Sequence, residues 1–255
     1  MKGINFEYGY KSLYSERASM IKRAGFDSVL LSYDEFVEDA MLSIRNAGLN
    51  IDALHLPYRK MVNNIWLSGD VSEPYLQLLS GCIAYADKMG IRRVVAHITS
   101  TDSPPPKNIR GVEFINKLLA VCEKYNVYLC LENLRRLDYL EYIFEECGSR
   151  LLGFCFDSGH ASAFTHNPTS FPWEKFGEKL TCVHLHDNNG VDDEHLLPFD
   201  GSLPWEVIAP KIGHYCKTGA VSLELHDGAR ARYNGSEEEF LNMAYQRISK
   251  IYNLM

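Results

Sequence analysis

Four short apolar runs in this chain each stop on a side chain able to bind a metal: VYLCLE at Glu132, GFCFD at Asp157, TCVH at His184 and AVSLE at Glu224. A run of β-formers that ends on a carboxylate or imidazole reads as a buried strand delivering its last side chain to a shared site. These ends lie 25 to 40 residues apart, which leaves room for a helix to return between them. The chain is therefore confined to a closed or doubly wound α/β sheet with its chemistry at one rim. Carboxylates of both kinds together with a histidine suit a divalent metal of intermediate hardness.

The pattern extends over the whole sequence. Strand-like runs fall at residues 3–7, 28–33, 51–55, 93–97, 127–132, 151–157, 181–186 and 220–226. Helical periodicity fills the gaps at 15–24, 35–47, 73–89, 111–125, 139–147, 173–179 and 204–216, with a last helix at 236–252. That helix opens on Ser236 with Glu239 three residues on, the spacing of a capping box. Gly25, Gly48, Gly90 and Gly148 are expected to end helices in the left-handed conformation. Eight strands alternating with eight helices is the count of a (β/α)8 TIM barrel, read as a single domain over residues 1–255. An open doubly wound sheet fits the same alternation. The barrel is favoured because functional residues finish most strands, whereas an open sheet gathers them at one switch point. The irregular stretches 59–72, 100–110 and 188–202 each follow a strand and are expected to overhang the active face.

The formal charge of −7 weighs against nucleic acid or an anionic membrane as partner. Within the three long loops Arg59, Lys60, Lys107 and Arg110 stand against Asp70, Asp102, Asp192, Asp193, Glu194 and Asp200, a poor face for phosphates. Seven cysteines without C-x-x-C spacing indicate a reduced, cytoplasmic protein rather than a disulfide scaffold. No apolar run approaches a membrane span, and the N-terminus lacks a signal-like segment. Apolar spacing on the outer helices permits a homodimer.

Further candidate residues cluster at the same strand ends. Asp157 and His160 form D-x-x-H; His184 and His186 form H-x-H, followed by Asp187; Asp193 and His195 form D-x-H in the loop beyond. His55 and His97 end the third and fourth strands, and Asn133 follows Glu132. His186 either points inward, two residues beyond His184, or already belongs to the loop. Singly, each has an ordinary role: a histidine at a strand end is usually hydrogen-bonded structure, and an aspartate there is often a helix cap. Together they do not, because buried carboxylates gathered in one place need a cation to neutralise them. Trp66, Trp173 and Trp205 offer flat faces on which a ligand could stack, with buried packing as the alternative. Dinucleotide, Walker, nucleophile-elbow and H-E-x-x-H motifs are absent.

At these residues the chain resembles the xylose isomerase-like TIM-barrel superfamily, which holds sugar isomerases and epimerases and also endonuclease IV (the AP endonuclease family 2). The matching pieces, in order, are LHLPY, VVAH, LEN, FDSGH, HLHD, DEH and LEL. The resemblance implies that Glu132, Asp157, His184 and Glu224 hold one divalent ion (Zn, Mn, Mg or Co), and that His160 touches the substrate. Endonuclease IV-type members would add His55, His97, Asp193 and His195 to complete a three-zinc cluster. One departure is Pro198-Phe199-Asp200-Gly201, where the family commonly reads P-G-x-G; it bears on the geometry around His195.

The expected activity is a metal-dependent sugar or sugar-phosphate isomerase or epimerase. Glu132 and Glu224 would move a proton off and onto carbon through an enediolate, each within hydrogen-bond reach of the carbon acid. A hydride shift calls for two metals and a lysine, and no lysine lies beside Glu132 or Asp157. The alternative is a multi-zinc AP endonuclease or phosphoesterase. A barrel that binds a sugar without turnover is a third reading, weakened by the paired glutamates.

Overall fold

A computed structural model describes residues 1–58, 61–217 and 219–255. Among them are eight strands: β1 (Lys2–Asn5), β2 (Ser28–Ser32), β3 (Asn50–His55), β4 (Arg93–Ala96), β5 (Tyr128–Glu132), β6 (Leu152–Asp157), β7 (Leu180–Leu185) and β8 (Ala220–Leu223). Each pairs in parallel with its sequence neighbours, and β8 returns to β1 through Lys2–Val221, Gly3–Ser222 and Ile4–Leu223. The sheet is thus a closed (β/α)8 barrel in simple chain order, and the open doubly wound sheet is excluded.

Helices α1 (Tyr14–Ala24), α2 (Val37–Asn46), α3 (Glu73–Lys88), α4 (Ile109–Tyr125) and α5 (Leu137–Glu146) return the chain along the outside, followed by α6 (Ser158–Ala163), α7 (Trp173–Phe176), α8 (Trp205–Tyr215), α9 (Asp227–Ala231) and α10 (Glu237–Leu254). Their apolar stripes and the outward side chains of the strands form one core, which includes Ile4, Val94, Leu129, Phe154, Val183 and Leu223. No described helix is long and apolar enough to cross a membrane.

A second, smaller cluster fills the barrel itself: Leu30, Ala53, Val95, Cys130, Cys155 and Cys182. Side chains two residues apart on a strand share a face. Ala53 therefore lies beneath His55, Val95 beneath His97, Cys130 beneath Glu132, Cys155 beneath Asp157 and Cys182 beneath His184. Each strand-end ligand inherits its inward direction from a small buried residue in the layer below. The described cysteines are all free, as their scattered spacing indicated.

The helix ends divide. Gly25, Gly48 and Gly90 adopt positive φ as expected, but Gly148 does not, because α5 ends at Glu146 and leaves through an extended Cys147. Instead Asn126, at φ 53°, terminates α4. The helix expected at 173–179 is one α turn continued by a 3-10 turn, Gly177–Lys179. The capping box of Ser236 and Glu239 is present. Helices α6 and α9 and the 3-10 turns Val62–Trp66, Asp70–Ser72 and Pro168–Ser170 had no counterpart in the periodicity, being too short to repeat.

A bulge in β3, where Val29 pairs with Ile51 but Leu30 with Ala53, turns Asp52 into the barrel. There its Oδ2 accepts a hydrogen bond of 2.7 Å from Ser222 on β8, and Oδ1 has no hydrogen-bonding partner. Burial pushes the Asp52 carboxyl up to about 6. A raised value means that the protonated acid suits the fold. Its contribution is fully present below the unfolded value of 3.8 and is lost as pH rises through about 6. Two units correspond to roughly 3 kcal/mol. Asp52→Asn should therefore gain on wild type by about 2–3 kcal/mol between pH 4 and 7 in urea denaturation; a constant difference across that range contradicts this.

Candidate metal centre

Glu132, Asp157, His184 and Glu224 converge at the C-terminal end of the barrel, with one ligand atom from each within 4.8 Å of the others. His184 Nδ1 lies 3.0 Å from Glu132 Oε1 and 3.1 Å from Glu224 Oε2. Its other nitrogen faces the Sγ of Cys182 at 3.8 Å, so the ring is held with Nδ1 toward the carboxylates. Asp157 is both things a strand-end aspartate can be. Its Oδ1 caps α6 by accepting from His160 N at 2.6 Å, while its buried Oδ2 has no hydrogen-bond partner. Glu224 Oε2 is likewise buried without an aligned donor, despite its closeness to His184. Two orphaned carboxylate oxygens facing one imidazole nitrogen form the donor set of a divalent ion, and the residues fit that group.

Electrostatics within the group are self-neutralising. Burial pushes the Glu132 carboxyl up, but the imidazoles of His184 and His97 hold it well below the usual carboxylate range. Burial opposes charge on Glu224 too, and His184 outweighs it. His184 in turn is held well above its ordinary value against burial by Glu224 and Glu132. An arriving ion would take the place of these ring protons, so metal binding and proton release are coupled.

Two further groups of ligands adjoin the first. His97 Nε2 and His55 Nε2 lie 2.6 and 3.3 Å from Glu132 Oε2. The two imidazoles respond oppositely to that oxygen. At His97 burial prevails and lowers the value, whereas at His55 the hydrogen bond and charge of Glu132 overcome burial and raise it. The third group is His160, His186, Asp193 and His195. Asp193 Oδ2 is 3.4 Å from His160 Nε2 and 3.5 Å from His195 Nε2. Burial opposes charge on both rings. Asp157 and Asp193 nevertheless raise His160 to about 10, and Asp193 raises His195 to about 9.

Three of these histidines are oriented by backbone. Nδ1–H of His55 donates to Leu56 O at 3.0 Å, that of His160 to Asn133 O at 3.1 Å, and that of His195 to Glu224 O at 2.9 Å. Each ring so held directs Nε2 at a carboxylate, and loss of the Nε2 proton to an arriving ion would leave the arrangement of a metal-ligating histidine.

All nine candidate residues meet around one cavity or in its floor: Glu132, Glu224, Asp157, His184, His160, His55, His97, Asp193 and His195. His186, left open between strand and loop, joins them. β7 ends at Leu185, yet His186 is fully buried, its Nε2 3.0 Å from Asp157 Oδ1. Gly159 makes room for it, since a Cβ there would overlap the His186 ring. The H-x-H spacing held this signal, and the choice between strand and loop concealed it.

The long loop after β7 keeps Asp193 and His195 in place despite its departure from P-G-x-G. Phe199 stands at φ 73°, a conformation favouring glycine. It is secured by its N–H to Asp187 Oδ2 at 2.9 Å and by Lys250 over its ring at 3.8 Å. Asp187, wholly buried, also accepts from Asn188 N, Leu203 N and Trp205 Nε1 at 2.8–3.0 Å. Gly201 allows this close approach, because a Cβ would collide with Asn188 O and the Asp187 carboxylate.

The cavity encloses about 850 Å³, and its rims include Met61, Ser100, Thr101, Asp193 and His195, so all three long loops contribute. The tryptophans do not line it. Trp66, Trp173 and Trp205 are buried, with Trp66 Nε1 donating to Ile98 O at 2.7 Å. Its exposed aromatic surface comes from Tyr58 and Phe164 instead. Of the expected loop cations, Arg59 and Lys60 lie outside the described residues, and Lys107 ion-pairs with Asp138.

The fold and site together define a parallel eight-stranded (β/α)8 barrel with carboxylates and imidazoles converging at the C-terminal ends of its strands. The family model for the xylose isomerase-like TIM barrel matches residues 19–243, and this chain belongs to that family. It is 33% identical over 154 residues to the uncharacterized protein y4fM of Sinorhizobium fredii, covering 54% of this chain and 48% of that one, so the match spans about half the length of that relative. Among solved structures, a D-tagatose 3-epimerase-like protein superposes with TM-score 0.78 at 19% identity, covering 99% of this chain and 97% of that one. L-ribulose 3-epimerase does so with TM-score 0.78 at 16% identity, covering 99% and 93%.

Asp187→Asn should cost about 3 kcal/mol or more, since one amide cannot accept all four bonds and buried donors are left unsatisfied. Urea denaturation measures this; a loss below about 1 kcal/mol would show the loop to be held otherwise.

Proposed function

We propose that this protein is a divalent-metal-dependent isomerase or epimerase of sugars or sugar phosphates, acting by proton transfer through an enediolate. The observation that carries the reading is the pairing of Glu132 and Glu224 on either side of His184 Nδ1, at 3.0 and 3.1 Å. The epimerase names of its structural neighbours support the same class.

Glu132, Asp157, His184 and Glu224 would hold the ion, which when bound acts as a Lewis acid toward a carbonyl and its neighbouring hydroxyl and so acidifies the C–H between them. The chain's own residues do the proton work. Glu224 is the more accessible carboxylate, its side chain 14% exposed against 1% for Glu132. Glu132 operates with His97, whose Nε2 lies 2.6 Å from Glu132 Oε2 and can share the proton that the carboxylate takes from carbon. His160 lies beside the same floor, 3.7 Å from Glu132 Oε1, where it can hydrogen-bond a substrate hydroxyl.

A second reading, a multi-zinc AP endonuclease or phosphoesterase, draws on the two additional ligand groups. The cavity opposes it: among the described residues lining it, Arg135 is the single Lys or Arg, too little to hold a DNA backbone. Elemental analysis separates the two, with one ion per chain expected for the isomerase and two or three for the phosphoesterase.

Mn²⁺-loaded protein in D₂O with a panel of ketoses, keto-inositols and their phosphates should exchange a sugar C–H proton, read by proton NMR. Glu132→Gln and Glu224→Gln should each slow that exchange by roughly 100-fold or more. The proposal fails if Glu132→Gln leaves every exchange rate unchanged, or if the protein nicks abasic DNA while exchanging no sugar proton.

A further inference from the structure

Arg135, three residues beyond Glu132, belongs to the cavity wall but not to the metal chemistry. Its Nε lies 2.8 Å from Asp102 Oδ1, and its guanidinium lies 3.8 Å from the centre of the Phe164 ring. Phe164 in turn stacks on His160, with ring centres 4.8 Å and planes 18° apart. Guanidinium, phenyl and imidazole form one stack that runs from the mouth of the cavity to the edge of the ligand cluster. Phe164 packs against the guanidinium, and Asp102 engages Nε. Neither occupies the two terminal nitrogens, for which the described residues supply no partner.

A tie between the loops after β4 and β5 is the ordinary role for such an arginine. That role is weak here, because the Asp102 side chain is 87% exposed and that of Arg135 36%, and ion pairs this exposed stabilise little. The planar fork of two free Nη groups instead matches an oxyanion bidentately. Ser100 and Thr101 add hydroxyls to the same wall. Glu132, Glu224 and Asp193 line the same cavity, and Arg135 is the one Lys or Arg among its described lining residues, so it is the group there with which an anion can pair.

We propose that Arg135 is an oxyanion subsite: the substrate carries a phosphate or carboxylate, remote from its reacting carbons, that the two terminal nitrogens of Arg135 grip. This deepens the isomerase reading above and rests on it for the placement of the reacting end. The stack spacings, 3.8 and 4.8 Å, keep the guanidinium within the length of a short sugar chain from His160.

Calorimetric titration of the Mn²⁺-loaded full chain tests it, with matched probes: D-fructose, D-fructose 6-phosphate and the keto-acid D-fructuronate, and D-ribulose with D-ribulose 5-phosphate. At least one anionic probe should bind about tenfold or more tightly than its neutral counterpart, and Arg135→Gln should erase that margin while leaving the neutral sugars within about twofold. Preference for the phosphates or for the keto-acid identifies which oxyanion the subsite takes. Asp102→Asn supplies the opposite sign: freed of its carboxylate, Arg135 should hold the anion as tightly or more so. A loop tie would make both variants weaken all probes alike, and that result overturns the proposal. So does a panel in which no anion is preferred. The two readings fail separately. Sugar exchange that is indifferent to Arg135 removes the subsite alone, whereas anion binding that depends on Arg135 without any C–H exchange removes the isomerase alone.

Discussion

Three carboxylates and an imidazole, brought within 4.8 Å of one another in the floor of a barrel, set the terms for the rest of this structure. Like charges so placed repel strongly once water is withdrawn, and burial alone penalises each ionised group. Two responses to that constraint are visible. Histidines surround the carboxylates closely enough to share their charge, as His184 does between Glu132 and Glu224. Yet Asp157 Oδ2 and Glu224 Oε2 stay without hydrogen-bond partners, which is the bonding capacity that the proposed divalent cation would use.

Holding the group together falls to parts of the fold with no chemistry of their own. Cys130, Cys155 and Cys182 form a small-residue layer immediately below, so the strand ends approach one another without overpacking. Asp187 gathers four donors from the loop after β7 and thereby fixes Asp193 and His195 at the cavity edge. Gly159 and Gly201 mark where ring and backbone come too close for a side chain. The strained Phe199 is tolerated in that setting because its N–H bond and the cation over its ring outweigh the cost of a left-handed residue.

Much of this was legible before the structure. Apolar runs that end on Glu132, Asp157, His184 and Glu224 expose a two-residue period and an inward parity, and both survive folding because they are local properties of strands. What could not be read depends on contacts across the sequence or on segments too short to repeat. Helix α6 has six residues and starts from an aspartate already counted as a ligand. His186 needed the end of β7 to one residue, and element boundaries are where pattern reading is weakest. Gly148 follows a helix but lies past an extended Cys147, so its type signalled a cap that the chain does not use. The tryptophans were offered to a ligand on chemical type alone, and burial reassigned all three. Arg135 drew no reading from the sequence, because Phe164 and Asp102, the residues that mark it, are distant along the chain and meet it only in the fold.

The central claim is that the four strand ends share one divalent ion. Anomalous diffraction from crystals soaked in Mn²⁺ tests it most directly. The account predicts a peak ligated by Glu132, Asp157, His184 and Glu224, lost in Asp157→Asn and Glu224→Gln crystals. Manganese bound elsewhere, with these four side chains unligated, would contradict it.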